Sequence, residues 1–171
     1  MIRKIALLTG VYIFIATHIV AQKSTFIILR HAEKDTTIAG STMMVSDPPL
    51  TSKGENRAME IVEKFKSFRI NQVYSTNYKR TKTTVLPIAN ARKLNITHYD
   101  PRKLETLATE LLSDTNKGKN FLIVGHANTS PKLVNILIKK NEFKDLADAN
   151  YSTYWIVTIK KNKVKVKVHQ F

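Results

Sequence analysis

The chain has 171 residues, a length that fits one domain, and a formal charge of +15 at pH 7. It has no cysteine, which excludes a disulfide framework and a lipidated cysteine, so the fold must hold by packing. The excess of base implies an anionic partner or surface: phosphate esters, nucleic acid, lipopolysaccharide or acidic lipid.

The first residues, MIRK followed by IALLTGVYIFIATHIVAQ, have the layout of a secretory signal. A short basic region precedes an apolar segment, and the small Ala21 precedes Gln22. The segment Ile5 to Ala21 falls a little short of a bilayer span of about 20 residues and contains Gly10 and His18. Residues 1–21 are therefore read as a cleaved signal, with an uncleaved membrane anchor as the alternative. Residues 22–171 form the domain, expected in the periplasm or outside the cell.

Thr25 to Arg30 reads as a first strand, and the loop after it, residues 35–49, carries Gly40, Pro48 and Pro49. A helix is expected from near Thr51, with Ser52 and Glu55 at capping-box spacing and Ala58, Ile61, Val62 and Phe65 on one face. NQVYST (71–76) is a second strand, followed by a helix capped by Asn77 with Thr81, Thr84, Val85 and Ile88 inward. NITHY (95–99) is a short third strand. Asp100-Pro101 then opens a helix with Leu104, Leu107 and Leu111 inward. NFLIVG (120–125) reads as a strand buried on both faces, and Ser130-Pro131 repeats the cap-then-proline start. YSTYWIVTIK and KVKVKVHQF form a hairpin around Lys161-Asn162. The alternation predicts an α/β fold: a three-layer α/β/α sandwich whose mostly parallel sheet carries a C-terminal antiparallel hairpin at its edge. Alternating lysines suit that solvent-facing edge.

Ligands of open parallel sheets bind at the carboxyl ends of the strands. The first strand ends in Arg30-His31 and the second in Ser75-Thr76-Asn77, with Arg80 in the next helical turn. The fourth ends in Gly125-His126-Ala127-Asn128. Each of these residues alone reads better as an ordinary polar loop or surface residue; three strand ends together read as a site. A metal is disfavoured because Arg30 adjoins His31, and Glu33, Asp35 and Asp47 are the only plausible carboxylate ligands. Two arginines and two imidazoles instead describe a phosphate pocket in which a neutral imidazole attacks phosphorus, with no cofactor needed.

ILRHAEK, LTSKGENRA, VYSTNYKRTKTTVLPIA and FLIVGHANTSPKLV, in this order, resemble the successive motifs of the histidine phosphatase superfamily, in its phosphoglycerate mutase-like branch. The resemblance implies a phosphohistidine at His31, with Arg30, Arg80 and His126 holding the phosphoryl group. The family usually has Gly where this chain has Ala32. Many members also draw a Glu or Asp proton donor from an inserted segment that is short here, where Asp100 and Glu105 are the carboxylates. Glu33, close to His31, is taken as the acid candidate; Asp35, Asp47 and Glu105 are the next places to look.

The expected activity is that of an exported phosphatase acting on a small phosphomonoester or phosphoramidate, with Asn128 and Ser75 lining the pocket. A mutase needs a covering segment for which this chain is short. The alternatives are a non-catalytic phosphoanion-binding protein and a surface module that binds anions weakly through the basic C-terminal strand. Nucleic acid is not expected, because no aromatics interleave the basic run. The segment 140–152 and the loop 35–49 are expected to shape the pocket mouth.

Overall fold

Along strand β1 (Lys23–Arg30), Phe26 and Ile28 join one apolar layer while Ile27 and Leu29 join the other. Strand β4 (Asn120–Gly125) does the same, with Phe121 and Ile123 on one side and Leu122 and Val124 on the other. Consecutive apolar residues are what a strand covered on both faces requires. The computed structural model describes residues 22–37, 47–161 and 163–171. The expected signal or anchor, the middle of the loop read from 35 to 49, and Asn162 of the hairpin turn lie outside the described residues.

Strands β2 (Gln72–Thr76), β3 (Ile96–Tyr99), β5 (Thr153–Lys160) and β6 (Lys163–Gln170) complete one sheet in the order β3-β2-β4-β1-β5-β6. The first four of that order run parallel, and β5 and β6 add the antiparallel edge. Helices α1 (Ser52–Lys64) and α2 (Lys79–Arg92) pack Ile61, Val85 and Ile88 on one face. Helices α3 (Leu104–Leu111) and α4 (Thr129–Ile138) pack Leu107, Leu133 and Val134 on the other. This is the expected three-layer sandwich, with the lysine-bearing hairpin strand at the edge.

The helix starts differ from expectation because neighbouring residues, local in two cases and tertiary in two, take or divert the capping groups. Thr51, not Ser52, caps α1: its hydroxyl accepts the Gly54 N–H at 3.1 Å, and its own N–H donates to the Glu33 carbonyl at 2.9 Å. Helix α2 starts after Tyr78 without a cap of its own; Asp47 accepts the Lys79 N–H at 2.6 Å, while Asn77 accepts from Lys82. Asp100 folds back on the Arg102 N–H and guanidinium in a turn, so α3 begins only at Leu104. Pro131 is the third residue of α4 rather than the first, because Ser130 spends its hydroxyl on the Leu29 carbonyl at 3.0 Å. That bond ties α4 to β1 one residue before Arg30.

Candidate active site

In the sheet, β4 lies between β2 and β1, so the carboxyl ends of these three strands stand side by side. A cavity of 510 Å³ opens there, and Arg30, His31, Arg80, His126 and Asn128 all line it. Five of the seven expected site residues are thus brought together. The other two are not. Ser75 is fully buried and donates to the Thr76 carbonyl at 2.9 Å. Glu33 faces a neighbouring cavity, where its carboxylate takes Nε and Nη2 of Arg57 at 2.7–3.1 Å, with Lys53 at 3.7 Å. Burial works to raise the Glu33 pKa, but the Arg57 hydrogen bonds and charge outweigh it and hold the group below its usual value. An ionised carboxylate in a guanidinium fork is a poor proton donor, which corrects the expectation that Glu33 is the acid.

His31 is 3% exposed, and its Nδ1 lies 2.8 Å from the Ala32 carbonyl oxygen. A carbonyl only accepts, so Nδ1 carries the proton and Nε2 keeps its lone pair. Burial pushes the His31 pKa well below its ordinary value; the Ala32 carbonyl opposes this, and His126, Arg30 and Arg80 add to it. The imidazole is therefore neutral at physiological pH.

His126 stands 5.5 Å from the His31 ring, edge to face. Its Nδ1 faces Arg80 Nη2 at 3.5 Å, a group that only donates, so the proton sits on Nε2 and is given to Thr76 Oγ1 at 3.0 Å. Burial first, then Arg80, Arg30 and Lys34, lower its pKa to about 3. The Thr76 hydroxyl continues to Thr81 Oγ1 at 2.9 Å, and Thr81 ends on the Thr76 and Tyr78 carbonyls. Thr84 accepts the Ala32 N–H at 2.9 Å and donates to the Arg80 carbonyl at 2.6 Å. Thr81 and Thr84 read from sequence as an inward helix face; they also tie α2 to both histidine loops. Their signal was available, since buried hydroxyls in an apolar layer need partners.

Arg30 is held from behind. Its Nη1 donates to the carbonyls of Ala147, Asp148 and Asn150 at 2.9–3.0 Å, and its guanidinium lies 4.0 Å from the Tyr151 ring centroid. Its buried Nε has no partner among the described residues, an unspent donor beside His31. Arg80 lies over the Tyr78 ring at 4.4 Å, with Asp47 at 3.6 Å. Asp145 and Asp148, which sequence reasoning missed, line the same cavity from the irregular segment before β5. Two fixed guanidinium groups and two neutral imidazoles around one space can bind a tetrahedral oxyanion and offer it a nucleophilic nitrogen.

The model of the histidine phosphatase superfamily (branch 1) matches residues 26–105, which carry Arg30, His31 and Arg80. A protein named probable phosphoglycerate mutase GpmB from Salmonella choleraesuis (strain SC-B67) is 37% identical over 78 residues, 46% of this chain and 36% of that protein. Its counterpart in Salmonella newport (strain SL254) gives the same figures. The chain thus spans little more than a third of the length of these curated relatives. The structure of the protein histidine phosphatase SixA complexed with tungstate has a TM-score of 0.67 at 15% identity, covering 85% of this chain and 96% of that one. Mycobacterial glucosyl-3-phosphoglycerate phosphatase gives 0.64 at 13% identity, with 88% and 99% covered. A phosphoserine phosphatase mutant from Entamoeba histolytica, in complex with phosphoserine, gives 0.61 at 15% identity, with 84% and 95% covered. These structures share the fold over 84–88% of this chain, more than the segment that the sequence match covers. The match over residues 26–105 and the shared fold together support membership of the histidine phosphatase superfamily.

Proposed function

We propose that this protein is a phosphatase that hydrolyses a small phosphomonoester or phosphoramidate through a phosphohistidine at His31. The observation that carries the reading is the fixed tautomer of His31, whose Nδ1–H is tied to the Ala32 carbonyl. The Nε2 lone pair attacks phosphorus, the bond from phosphorus to the leaving oxygen or nitrogen breaks, and the leaving atom takes a proton. Water then attacks the phosphohistidine, the P–N bond breaks, and inorganic phosphate leaves with His31 neutral again. Arg30, through its unspent Nε, and Arg80 stabilise the equatorial oxygens as charge develops, and His126, whose Nδ1 lone pair faces the Arg80 guanidinium, orients that group. Asn128 lines the same space. The leaving-oxygen proton is assigned to the carboxylates of the cavity, Asp148 or Asp145.

The chain is further proposed to be exported, on the MIRK-plus-apolar layout of residues 1–21. Mature protein beginning near Gln22 outside the cytoplasm is the expected finding; cytosolic protein with Met1 intact contradicts it.

The test of the reaction is phosphate release over a panel of phosphomonoesters and phosphoramidates, with His31→Ala as the blank. A quenched reaction with labelled substrate should carry an acid-labile, base-stable adduct on His31. An adduct on His126 or on a serine overturns the assignment. Binding of phosphate compounds without any turnover favours the non-catalytic phosphoanion-binding protein. The name of the curated relatives raises a second reading, a mutase. It predicts return of the labelled phosphoryl group to another hydroxyl of the substrate rather than its release.

A further inference from the structure

Thr81 follows Arg80 on α2, and a run of polar contacts leads from its hydroxyl back to the Arg80 guanidinium. Thr81 Oγ1 lies 2.9 Å from the Thr76 hydroxyl, and that hydroxyl lies 3.0 Å from His126 Nε2. His126 Nδ1 then faces Arg80 Nη2 at 3.5 Å, which closes the run on the helix where it began. Thr76 and Thr81 are fully buried, so bulk water does not compete for their hydroxyls.

Counting hydrogens fixes the direction of the run. A threonine hydroxyl has one hydrogen to give, and a carbonyl only accepts. The Thr81 hydrogen goes to the carbonyls of Thr76 and Tyr78, both at 2.9 Å. Thr81 Oγ1 can therefore only accept from Thr76. With its own hydrogen spent in this way, Thr76 can only accept from His126 Nε2. The proton of the neutral imidazole is thereby placed on Nε2 and the lone pair on Nδ1. A guanidinium only donates, so Arg80 needs that lone pair to face it.

We infer that Thr81 is a positioning residue of this site: its hydroxyl selects the tautomer of His126 and, through it, the aim of Arg80 at a bound phosphoryl oxygen. The two carbonyls that take the Thr81 hydrogen do not need it. Ser75 Oγ also donates to the Thr76 carbonyl at 2.9 Å, and the Lys82 N–H donates to the Tyr78 carbonyl at 3.0 Å. Removing the Thr81 hydroxyl therefore orphans neither carbonyl, and the fold should survive the loss. The Thr76 hydrogen, however, loses its acceptor, and His126 Nε2 is the other group in contact with it among the described residues. A buried hydroxyl hydrogen left unpaired is costly. Thr76 then turns to donate to Nε2, which gives up its proton, and Nδ1 takes one instead. Nδ1–H would point at the Arg80 guanidinium, donor against donor, and the arginine must move.

The inference deepens the phosphatase reading and rests on it for what Arg80 holds, but its test needs no turnover. Long-range 1H–15N correlation of the imidazole nitrogens reads the tautomer in the 15N-labelled full chain at neutral pH, the His126 signals being those absent from His126→Gln. His126 is expected as the Nε2–H form in the wild type and in Thr81→Ser, which keeps the hydroxyl. In Thr81→Val, the same shape without the hydroxyl, and in the smaller Thr81→Ala, the Nδ1–H form is expected to appear. Affinity for inorganic phosphate should fall about 10- to 100-fold in these two variants, the worth of a hydrogen bond to a charged group, and stay near wild type in Thr81→Ser. A merely structural threonine would lower stability and leave the tautomer alone. An Nδ1–H form in the wild type overturns the inference, as does a His126 that stays wholly Nε2–H in both Thr81→Val and Thr81→Ala. Phosphate affinity that is unchanged in those variants, or that falls equally in Thr81→Ser, also overturns it. A wild type that binds phosphate but turns over no ester refutes the phosphatase reading and leaves the role of Thr81 to these measurements.

Discussion

The Glu33 carboxylate meets the Arg57 guanidinium edge-on, Nε and Nη2 both within 3.1 Å, with the two side chains 12% and 14% exposed. The pair fixes α1 against the segment that follows His31, where the Gly54 backbone passes so close to the Glu33 carbonyl that a Cβ would overlap it. Glu33 is thus a positioning residue. Glu33→Gln should cost about 2 kcal/mol of stability, the scale of hydrogen bonds to a charged group. It should slow alkyl and aryl esters by the same factor. Urea unfolding and a two-substrate rate comparison check this; selective loss on alkyl esters would return the proton-donor role to Glu33.

Asp148 has the better claim to the proton. It lines the cavity, and Arg30 Nη1 donates to its carbonyl at 2.9 Å, so its backbone moves with that cavity arginine. Asp148→Asn is expected to slow alkyl esters by about 10²- to 10⁴-fold and aryl phosphates much less, steepening the dependence on leaving-group pKa. Asp145→Asn is the matched control on the same segment. Equal losses on both substrate classes in both variants would mean that these carboxylates position substrate and donate nothing.

Chelation should leave turnover intact. The His126 Nδ1 lone pair faces the Arg80 guanidinium, and Arg30 adjoins His31, so a divalent cation would sit among fixed positive charges. Phosphate release is expected to be the same with and without EDTA. Loss that one divalent metal restores would reject the phosphohistidine reading.

Gly125 is the tightest point of the β4 end. A Cβ there would stand 2.8 Å from Tyr99 Oη and Thr129 Oγ1 and 2.9 Å from Ser130 Oγ. The Thr129 hydroxyl accepts the His126 N–H at 2.9 Å, so any shift is passed to the imidazole. Gly125→Ala should cost about 1–3 kcal/mol, the usual cost of overpacking, and lower kcat more than it raises KM. Thermal unfolding and steady-state kinetics measure both; an unchanged kcat would show that His126 does not depend on this packing.

The parts of the site that sequence made legible are those that parallel strands deliver. Arg30-His31 and Gly125-His126 end strands whose unbroken apolar runs announce burial on both faces, and such strands bring ligands to their carboxyl ends. The lysine alternation of β6 likewise revealed an edge strand. Asp145 and Asp148 were hidden because their segment is irregular and is positioned by its backbone carbonyls on Arg30, a contact without side-chain signature. Glu33 misled for the opposite reason. Nearness to His31 in the chain was legible, but Arg57, on a helix 24 residues on, was not visibly its partner. The helix starts failed in the same way, since Ser130 and Asp100 are good caps whose tertiary or local partners won.

Acid should destabilise this protein through its two histidines. In the unfolded chain each titrates near the ordinary value of about 6.5. In the folded chain burial holds His31 well below its ordinary value and His126 at about 3. Between the folded and unfolded values the unfolded chain binds more protons, so stability rises with pH there. The contribution is complete above the unfolded value and drains away as pH falls from it toward the folded one. Each buried histidine contributes at most about 1.4 kcal/mol per pH unit in that window. Glu33, held below its usual value, adds a loss of the same sign at lower pH. Urea midpoints should therefore fall from pH 7 to pH 4, and His126→Gln should flatten part of that slope while costing stability at pH 7. In kinetics, a His31 that stays neutral leaves the acid limb of kcat/KM to the substrate, so the limb should shift with each substrate's own phosphate ionisation. A limb fixed near about 6.5 for every substrate would mean that His31 titrates as an ordinary histidine, and the buried-nucleophile reading would fail with it.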